Sequence, residues 1–134
     1  MESVSFQIPA GYEVLRIAEK ALRNLLILHK VEAGVIDNCV IALQELLANI
    51  VEQSYNDNED KMIEVRLRMD RKRFFIETRD TGAPENTTLE IVTTSDPSEF
   101  QVNANSMAAT KALMDEVQYQ YKDGKNIWTL IKKM

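Results

Sequence analysis

The sequence predicts a two-layer α/β sandwich, in which a mixed, mostly antiparallel sheet is covered on one face by helices. Short runs of alternating apolar and polar residues are joined in pairs by turn-forming residues, and such pairs form antiparallel hairpins. Two long runs near the start of the chain and a shorter run near its end have apolar residues at helical spacing. The resulting order is β, α, α, β, β, long loop, α, β, β, and helices on one side of hairpins form this architecture.

The first third of the chain predicts one strand and two helices. Val4, Phe6 and Ile8 alternate with polar residues in a strand that ends at Pro9. A helix is predicted from about residue 12 to 29, with an apolar stripe of Val14, Ile17, Ala18, Ala21, Leu22, Leu25 and Leu28. A second helix is predicted from about 35 to 55, with a stripe of Ile36, Val40, Leu43, Leu47 and Ile50.

The remainder predicts two hairpins that flank a long loop and a third helix. Alternation at 63–69, a turn at 70–73 and an apolar run at 74–79 predict the first hairpin. Residues 81 to about 105 lose all periodicity, and a loop of this length is functional or disordered as a rule. A helix is predicted over 106–116, followed by strands at 117–121 and 127–131 around an Asp123-Gly124 turn.

Length and composition favour one acidic, globular domain over residues 1–134. The chain has 134 residues, of which 45% are hydrophobic and 28% charged, and a net charge of −5. That charge argues against nucleic acid as a partner, because binding to phosphates requires clustered cations. The single cysteine, Cys39, lies among apolar residues and is expected to be a buried free thiol. We expect no signal peptide, no apolar run long enough to cross a bilayer and a cytoplasmic location.

Glu45 and Asn49 form the first candidate site. They are four residues apart in the second predicted helix and therefore lie on one face, which Glu52 also approaches. A carboxylate and an amide in this arrangement can act as general base and magnesium ligand, because Mg²⁺ prefers oxygen ligands and keeps several waters or phosphate oxygens. The alternative is an ordinary solvated polar face, since the apolar stripe lies almost opposite.

Asp80 and Gly82 form the second candidate site, directly after the first hairpin. An aspartate can accept a hydrogen bond from the exocyclic amine of adenine, and a glycine lets a flat base approach the backbone. The alternative is a simple turn, because Asp, Gly and Pro are common turn residues and the run reads Asp80-Thr81-Gly82-Ala83-Pro84.

In combination these segments resemble the anti-sigma factor serine kinases of the GHKL, or histidine kinase-like ATPase, superfamily. Residues 43–55 are similar to the N box of that family, and 80–84 are similar to its first glycine box, including the proline. Residues 112–117 and 124–128 resemble its C-terminal helix and closing strand. The similarity covers nearly the whole chain and implies a histidine kinase-like ATPase fold, with residues 83–105 as a lid over ATP.

The resemblance also implies a mechanism and partners. Glu45 would be the general base, Asn49 a ligand of Mg²⁺, and Asp80 the residue that holds adenine, with Gly82 giving it room. The γ-phosphoryl group of ATP would pass to a serine of an anti-anti-sigma protein. The family also binds a sigma factor, usually as a homodimer, and Arg16 on the first helix occupies the place of a basic partner contact. Neither nucleic acid nor a membrane is an implied partner.

The second glycine box departs from the family. It aligns with Ala104, Asn105 and Ser106, and no glycine lies between Gly82 and Gly124. Because glycines let the lid backbone fold around phosphates, two functions stay open: a serine kinase, which we favour, and a non-catalytic partner-binding module that has lost tight ATP binding. A detached ATPase domain of a histidine kinase is a third alternative. It is disfavoured because we find no phosphoacceptor segment.

Overall fold

The computed structural model of the protein describes residues 2–55, 61–84, 91–93 and 107–134. Its strands and helices follow the predicted order, with one strand added. They are β1 (Glu2–Pro9), α1 (Leu15–Leu28), α2 (Ala33–Asn49), β2 (Met62–Met69), β3 (Arg73–Asp80), β4 (Ile91–Thr93), α3 (Ala108–Leu113), β5 (Glu116–Lys122) and β6 (Lys125–Lys133). The predicted α/β architecture is confirmed.

The described strands form one six-stranded sheet in the order β1-β2-β3-β6-β5-β4. Every strand pairing among the described residues is antiparallel, so the parallel component that we expected of a mixed sheet does not occur there. β3 and β6 pair along their whole length, which places Asp80 opposite Asn126. The two predicted hairpins therefore lie side by side in the middle of the sheet.

The core lies between one face of the sheet and the helices. Residues along β2 alternate between buried and half-buried positions, as expected of a sheet with one covered face. The buried set includes Ile63, Val65, Leu67, Phe74, Ile76 and Leu130 from the strands. Helix α2 contributes Ile36, Val40, Leu43 and Leu47, and Ile50 directly after it is buried as well, as the predicted apolar stripe requires. Burial raises the pKa of the Cys39 thiol to about 11, which agrees with an unreactive core residue.

The apolar stripe predicted for α1 is partly wrong. Leu15, Ala18, Leu22 and Leu26 face the core. Ile17 and Leu28, by contrast, are 58% and 71% exposed and lie on the outer side. The apolar residues of α1 are therefore divided between a core face and an exposed face.

Helix α2 ends differently from the prediction. Its α-helical hydrogen bonding stops at Asn49, and a π-helical turn continues from Ile50 to Ser54. By length and composition Ala33–Glu52 could cross a membrane, contrary to our expectation, but 56% of its apolar window is buried inside the fold. Core helices meet the same criterion, so the finding is weak evidence for a span.

Two further boundaries differ because their determinants are not local. β4 lies inside the segment predicted as a loop and is held by pairing with β5, with Val92 opposite Val117. Helix α3 is shorter than predicted, because residues from Glu116 onward join the sheet. The Asp123-Gly124 turn is confirmed: φ is 54° and 75° at these residues, as a type I′ hairpin requires.

Candidate functional site

Glu45 contacts the beginning of α3 rather than solvent. Its side chain is half-buried, and Oε1 accepts a hydrogen bond from the Thr110 N–H at 2.7 Å. Oε2 accepts a second from the Ala109 N–H at 3.3 Å. The first N–H groups of a helix lack partners within the helix and carry partial positive charge, so a carboxylate is well suited to them. We call Glu45, Ala109 and Thr110 the Glu45 junction.

Other contacts hold α3 against the helix layer and the sheet. The Thr110 hydroxyl donates to the carbonyl of Ala42 at 3.0 Å, one turn before Glu45 in α2. At the other end of α3, the Lys132 ammonium donates to the carbonyl of Leu113 at 2.8 Å. An anion at the N-terminus and a cation at the C-terminus both match the helix dipole. The solvated polar face that was the alternative for Glu45 is therefore not what the structure shows.

Asn49 is buried, with 3% of its surface exposed, and it is the last α-helical residue of α2. The following π-helical turn changes the direction of the residues after it, and π turns often occur at functional sites. Glu52 is exposed and accepts a hydrogen bond from the Tyr12 hydroxyl at 3.1 Å. Glu52 therefore has a partner outside the Glu45 junction.

Asp80 ends β3 on the helix-covered face of the sheet and is 2% exposed. Its Oδ1 accepts hydrogen bonds from the Gly82 N–H at 3.0 Å and from the Asn126 side-chain amide at 2.9 Å. The first is the hydrogen bond of an Asx turn, so the turn interpretation of this motif is correct as far as the backbone is concerned. The second ties the motif to β6.

Asn126 is the functional candidate that sequence reasoning missed. It is fully buried, and its Nδ2 also donates to the carbonyls of Ala83 at 3.0 Å and Gly82 at 3.3 Å. Its Oδ1 accepts a hydrogen bond from the hydroxyl of Tyr119. We call Asp80, Gly82, Tyr119 and Asn126 the Asp80 network. One signal could have revealed Asn126: it shares the inward period-2 face with Trp128 and Leu130.

Tyr55 links the end of α2 to the turn after Asp80. Its hydroxyl donates to the carbonyl of Met62 at 2.6 Å and accepts from the Thr81 N–H at 2.8 Å. Its own N–H continues the π-helical turn by bonding the carbonyl of Ile50. The helical segment that follows Asn49 and the turn that follows Asp80 therefore meet at this tyrosine, so the two sequence motifs, 43–55 and 80–84, are in contact.

The described residues contain no group of three or more His, Cys, Asp or Glu side chains that could hold a metal ion. A magnesium ion here would therefore depend on Asn49 and on oxygens of a bound nucleotide, which agrees with the reluctance of Mg²⁺ to lose its water ligands. Asp80 fits an adenine amine chemically, because an ionised carboxylate accepts hydrogen bonds and its Oδ1 is fixed in place.

Two of the predicted contact groups belong neither to the Glu45 junction nor to the Asp80 network. Arg16 is exposed on the outer face of α1, beside the exposed Ile17. Ala104, Asn105 and Ser106, like most of the predicted lid at 83–105, lie outside the described residues.

Comparison with known proteins assigns the family. A model of the histidine kinase-like ATPase domain matches residues 8–132. The chain belongs to this ATPase family. The predicted superfamily is therefore confirmed, and the ATPase domain spans nearly the whole chain. No curated protein sequence matches it.

Solved structures share the fold of this ATPase domain at low sequence identity. The RsbU and RsbW domains of Rv1364c from Mycobacterium tuberculosis superpose with a TM-score of 0.71 at 19% identity, over 98% of this chain and 32% of that one. The SiaB-SiaC complex from Pseudomonas aeruginosa gives 0.63 at 13% identity, over 98% and 89%. The chain thus spans about a third of the length of Rv1364c in that structure. At these identities the likeness shows the fold alone.

Proposed function

We propose that the protein is a cytoplasmic ATP-binding regulator that transfers the γ-phosphoryl group of ATP to a serine of an anti-anti-sigma partner protein. Residues 1–134 form one ATPase domain, with 83–105 as the lid. The observation that carries the proposal is the meeting of the two motifs at Tyr55, since a kinase needs its base and its adenine site around one nucleotide. Membership of the histidine kinase-like ATPase family supports ATP as the ligand.

In this proposal each site residue has a distinct role. Asp80 holds the adenine amine, Gly82 borders the base, and Asn49 supplies an oxygen to Mg²⁺. Glu45 acts as general base toward the serine hydroxyl once it leaves the N–H groups of Ala109 and Thr110. Mg²⁺ supplies charge neutralisation at the phosphates, which is the main requirement of phosphoryl transfer. The lid residues Ala104, Asn105 and Ser106 border the phosphates.

The partners are proteins. The exposed face of α1 presents Ile17, Leu28 and Arg16 to solvent, and apolar residues beside a cation are typical of a protein contact surface. We propose that this face binds a sigma factor and that the chain forms a homodimer. The fold neighbour SiaB occurs in a complex with a second protein, SiaC, which supports a partner for this fold.

One observation favours a second candidate, a non-catalytic binding module. Both oxygens of Glu45 are engaged by α3, so the proposed base has a structural role in this arrangement. The absence of glycine between Gly82 and Gly124 points the same way, because the lid then lacks the residue that wraps phosphates most readily.

Thermal and chemical unfolding with and without Mg-ATP separates the two candidates. At nucleotide about a hundred times above the dissociation constant, a kinase gains about 3 kcal/mol in stability. Radiolabelled ATP with an anti-anti-sigma protein then tests transfer to serine. Stabilisation and transfer that both require Asp80 support the kinase. No stabilisation at millimolar Mg-ATP favours the binding module and contradicts our proposal.

A further inference from the structure

The side chain of Asn126 has two different ends, and the structure gives each end a different partner. Its Oδ1 accepts the hydroxyl proton of Tyr119, which leaves the amino end directed at Asp80. An amide placed the other way round would set its oxygen against the Asp80 carboxylate, and two acceptors repel. Asp80 and the two carbonyls therefore fix the orientation of the Asn126 amide, and the Tyr119 hydroxyl satisfies its oxygen.

The amino end of Asn126 holds both Asp80 and the turn that follows it. Nδ2 has two protons and three acceptors within reach: Oδ1 of Asp80 and the carbonyls of Gly82 and Ala83. Because Asn126 and Tyr119 are both buried and Tyr119 packs against Trp128 with ring centroids 4.7 Å apart, the amide has little freedom to turn.

We propose that Asn126 is a positioning residue for nucleotide recognition, which holds the Asp80 carboxylate as a hydrogen-bond acceptor while the Tyr119 hydroxyl satisfies the oxygen of Asn126. The inference rests on the proposed function. The ligand class that follows is a purine with an exocyclic amine at the edge that meets Asp80, because a fixed acceptor pairs with an amine and repels a carbonyl. Adenine nucleotides fit this requirement, and guanine nucleotides, which carry O6 there, do not.

The proposal requires an uncharged hydrogen-bond donor at residue 126. A substitution that changes this donor should therefore alter the pH dependence of ATP affinity, which a purely structural role would not do. Asn126→Asp keeps the shape but places a second carboxyl against Asp80. Two carboxylates in contact cannot both ionise readily, so the pair holds one proton toward neutral pH. Within the described residues, Asn126 is hydrogen-bonded to two titratable groups, Asp80 from β3 and Tyr119 from β5. The protonated pair still supplies one donor, and the doubly ionised pair supplies none.

The experiment measures Mg-ATP and Mg-GTP affinity by calorimetry from about pH 6 to about pH 8, which is above the ordinary pKa of an aspartate in a peptide. The wild-type chain is expected to prefer ATP with little pH dependence. Asn126→Asp is expected to lose ATP affinity as the pH rises, by up to about tenfold per unit. Asn126→Ala is expected to bind ATP about tenfold more weakly than the wild type at every pH. Tyr119→Phe is expected to lose less ATP affinity than Asn126→Ala. Gln120→Glu adds the same charge to an exposed site on β5 and should change nothing.

Circular dichroism and carbon-13 titration of the Asp side chains, without nucleotide, check the fold and the contact. A carboxyl that titrates near neutral pH in Asn126→Asp, and in neither the wild type nor Gln120→Glu, shows that residue 126 reaches Asp80. If the wild type binds ATP and the Asn126 variants bind it equally well across the pH range, the inference is wrong while the proposed function stands. If the wild type binds no ATP, the proposed function fails and the recognition role fails with it, and the titration separately reports whether the contact exists.

Discussion

The Asp80 network and the Glu45 junction are built differently. The Asp80 network joins β3, β5 and β6 through hydrogen bonds between buried side chains. The Glu45 junction joins two helices through one half-buried carboxylate and two backbone N–H groups. The first is fixed by the sheet, whereas the second depends on where the six-residue helix α3 lies.

The difference indicates that the Asp80 network is rigid and that the Glu45 junction can change conformation. A buried polar network loses much of its stabilisation when any member is removed, because the partners left behind are unsatisfied. A carboxylate at a helix N-terminus can exchange one set of donors for another at lower cost. We therefore expect the adenine base to be recognised by a preformed surface. The part of the site that binds the phosphates is completed only when α3 moves relative to Glu45.

The largest expected effect is on stability when the Asp80 network is broken. Asp80→Ala removes the acceptor of the Gly82 N–H and of the Asn126 amide, and we expect a loss of about 3 kcal/mol in the free energy of unfolding. Urea denaturation measures it. Asp37→Ala, which removes an exposed ion pair with Arg23, is the matched control and should cost no more than about 1 kcal/mol. Equal losses in the two variants would contradict a special role for the network.

The Glu45 junction is expected to contribute less. Glu45→Ala leaves the N–H groups of Ala109 and Thr110 without this acceptor, and we expect a loss of about 1.5 kcal/mol, typical of a helix N-cap. Glu45→Gln keeps one acceptor oxygen and should lose about half as much. Urea denaturation with hydrogen exchange at the two amides checks both values. An alanine variant as stable as the wild type would show that Glu45 does not hold α3 in solution.

The sequence predicted features that depend on neighbouring residues better than features that depend on contacts between distant parts of the chain. Glu45, Asn49, Asp80 and Gly82 could be named as candidates because family resemblance and helix periodicity operate over a few residues. Their partners were not found, because Asn126 meets Asp80 only through the register of β3 and β6. The burial of Asn49 was not predicted either, since helical spacing gives the direction of a side chain and not what packs against it.

The same limit explains the structural differences. The three residues of β4 have no alternation long enough to recognise, and pairing with β5 alone makes them a strand. The helical pattern of α1 could not tell Ile17 from Ala18, because both are apolar and adjacent on the helix. Only the position of the sheet decides which of them is buried.

Tyr55 tests whether the two regions are coupled. Tyr55→Phe keeps the ring and removes the hydroxyl that donates to the Met62 carbonyl and accepts from the Thr81 N–H, so we expect a loss of about 1 kcal/mol. Tyr121→Phe, at an exposed position on β5, is the control and should change stability by less than about 0.5 kcal/mol. Double variants with Glu45→Ala and Asp80→Ala then measure coupling. Strict additivity in both would mean that the regions are independent despite this contact.

Asp70 gives a surface reference for the Glu45 junction, because it too is a carboxylate that accepts two backbone N–H groups. Its Oδ1 bonds the N–H of Lys72 at 2.8 Å and of Arg73 at 2.7 Å, and these bonds lower the pKa of Asp70 from its ordinary value of 3.8. Its stabilising effect is therefore complete above pH 3.8 and disappears as the pH falls through the lowered value.

Asp70→Asn should consequently lower the melting temperature slightly near neutral pH and leave it unchanged at about pH 2, where the wild-type carboxyl is protonated as well. Because the Asp70 side chain lies in a surface turn and stays partly exposed, water can replace its hydrogen bonds, and we expect a smaller effect than that of Glu45→Ala. Thermal unfolding of both variants across the acid range makes the comparison. If Asp70→Asn costs as much as Glu45→Ala near neutral pH, the stability at the Glu45 junction reflects ordinary turn capping, and partial burial against α3 adds nothing to it.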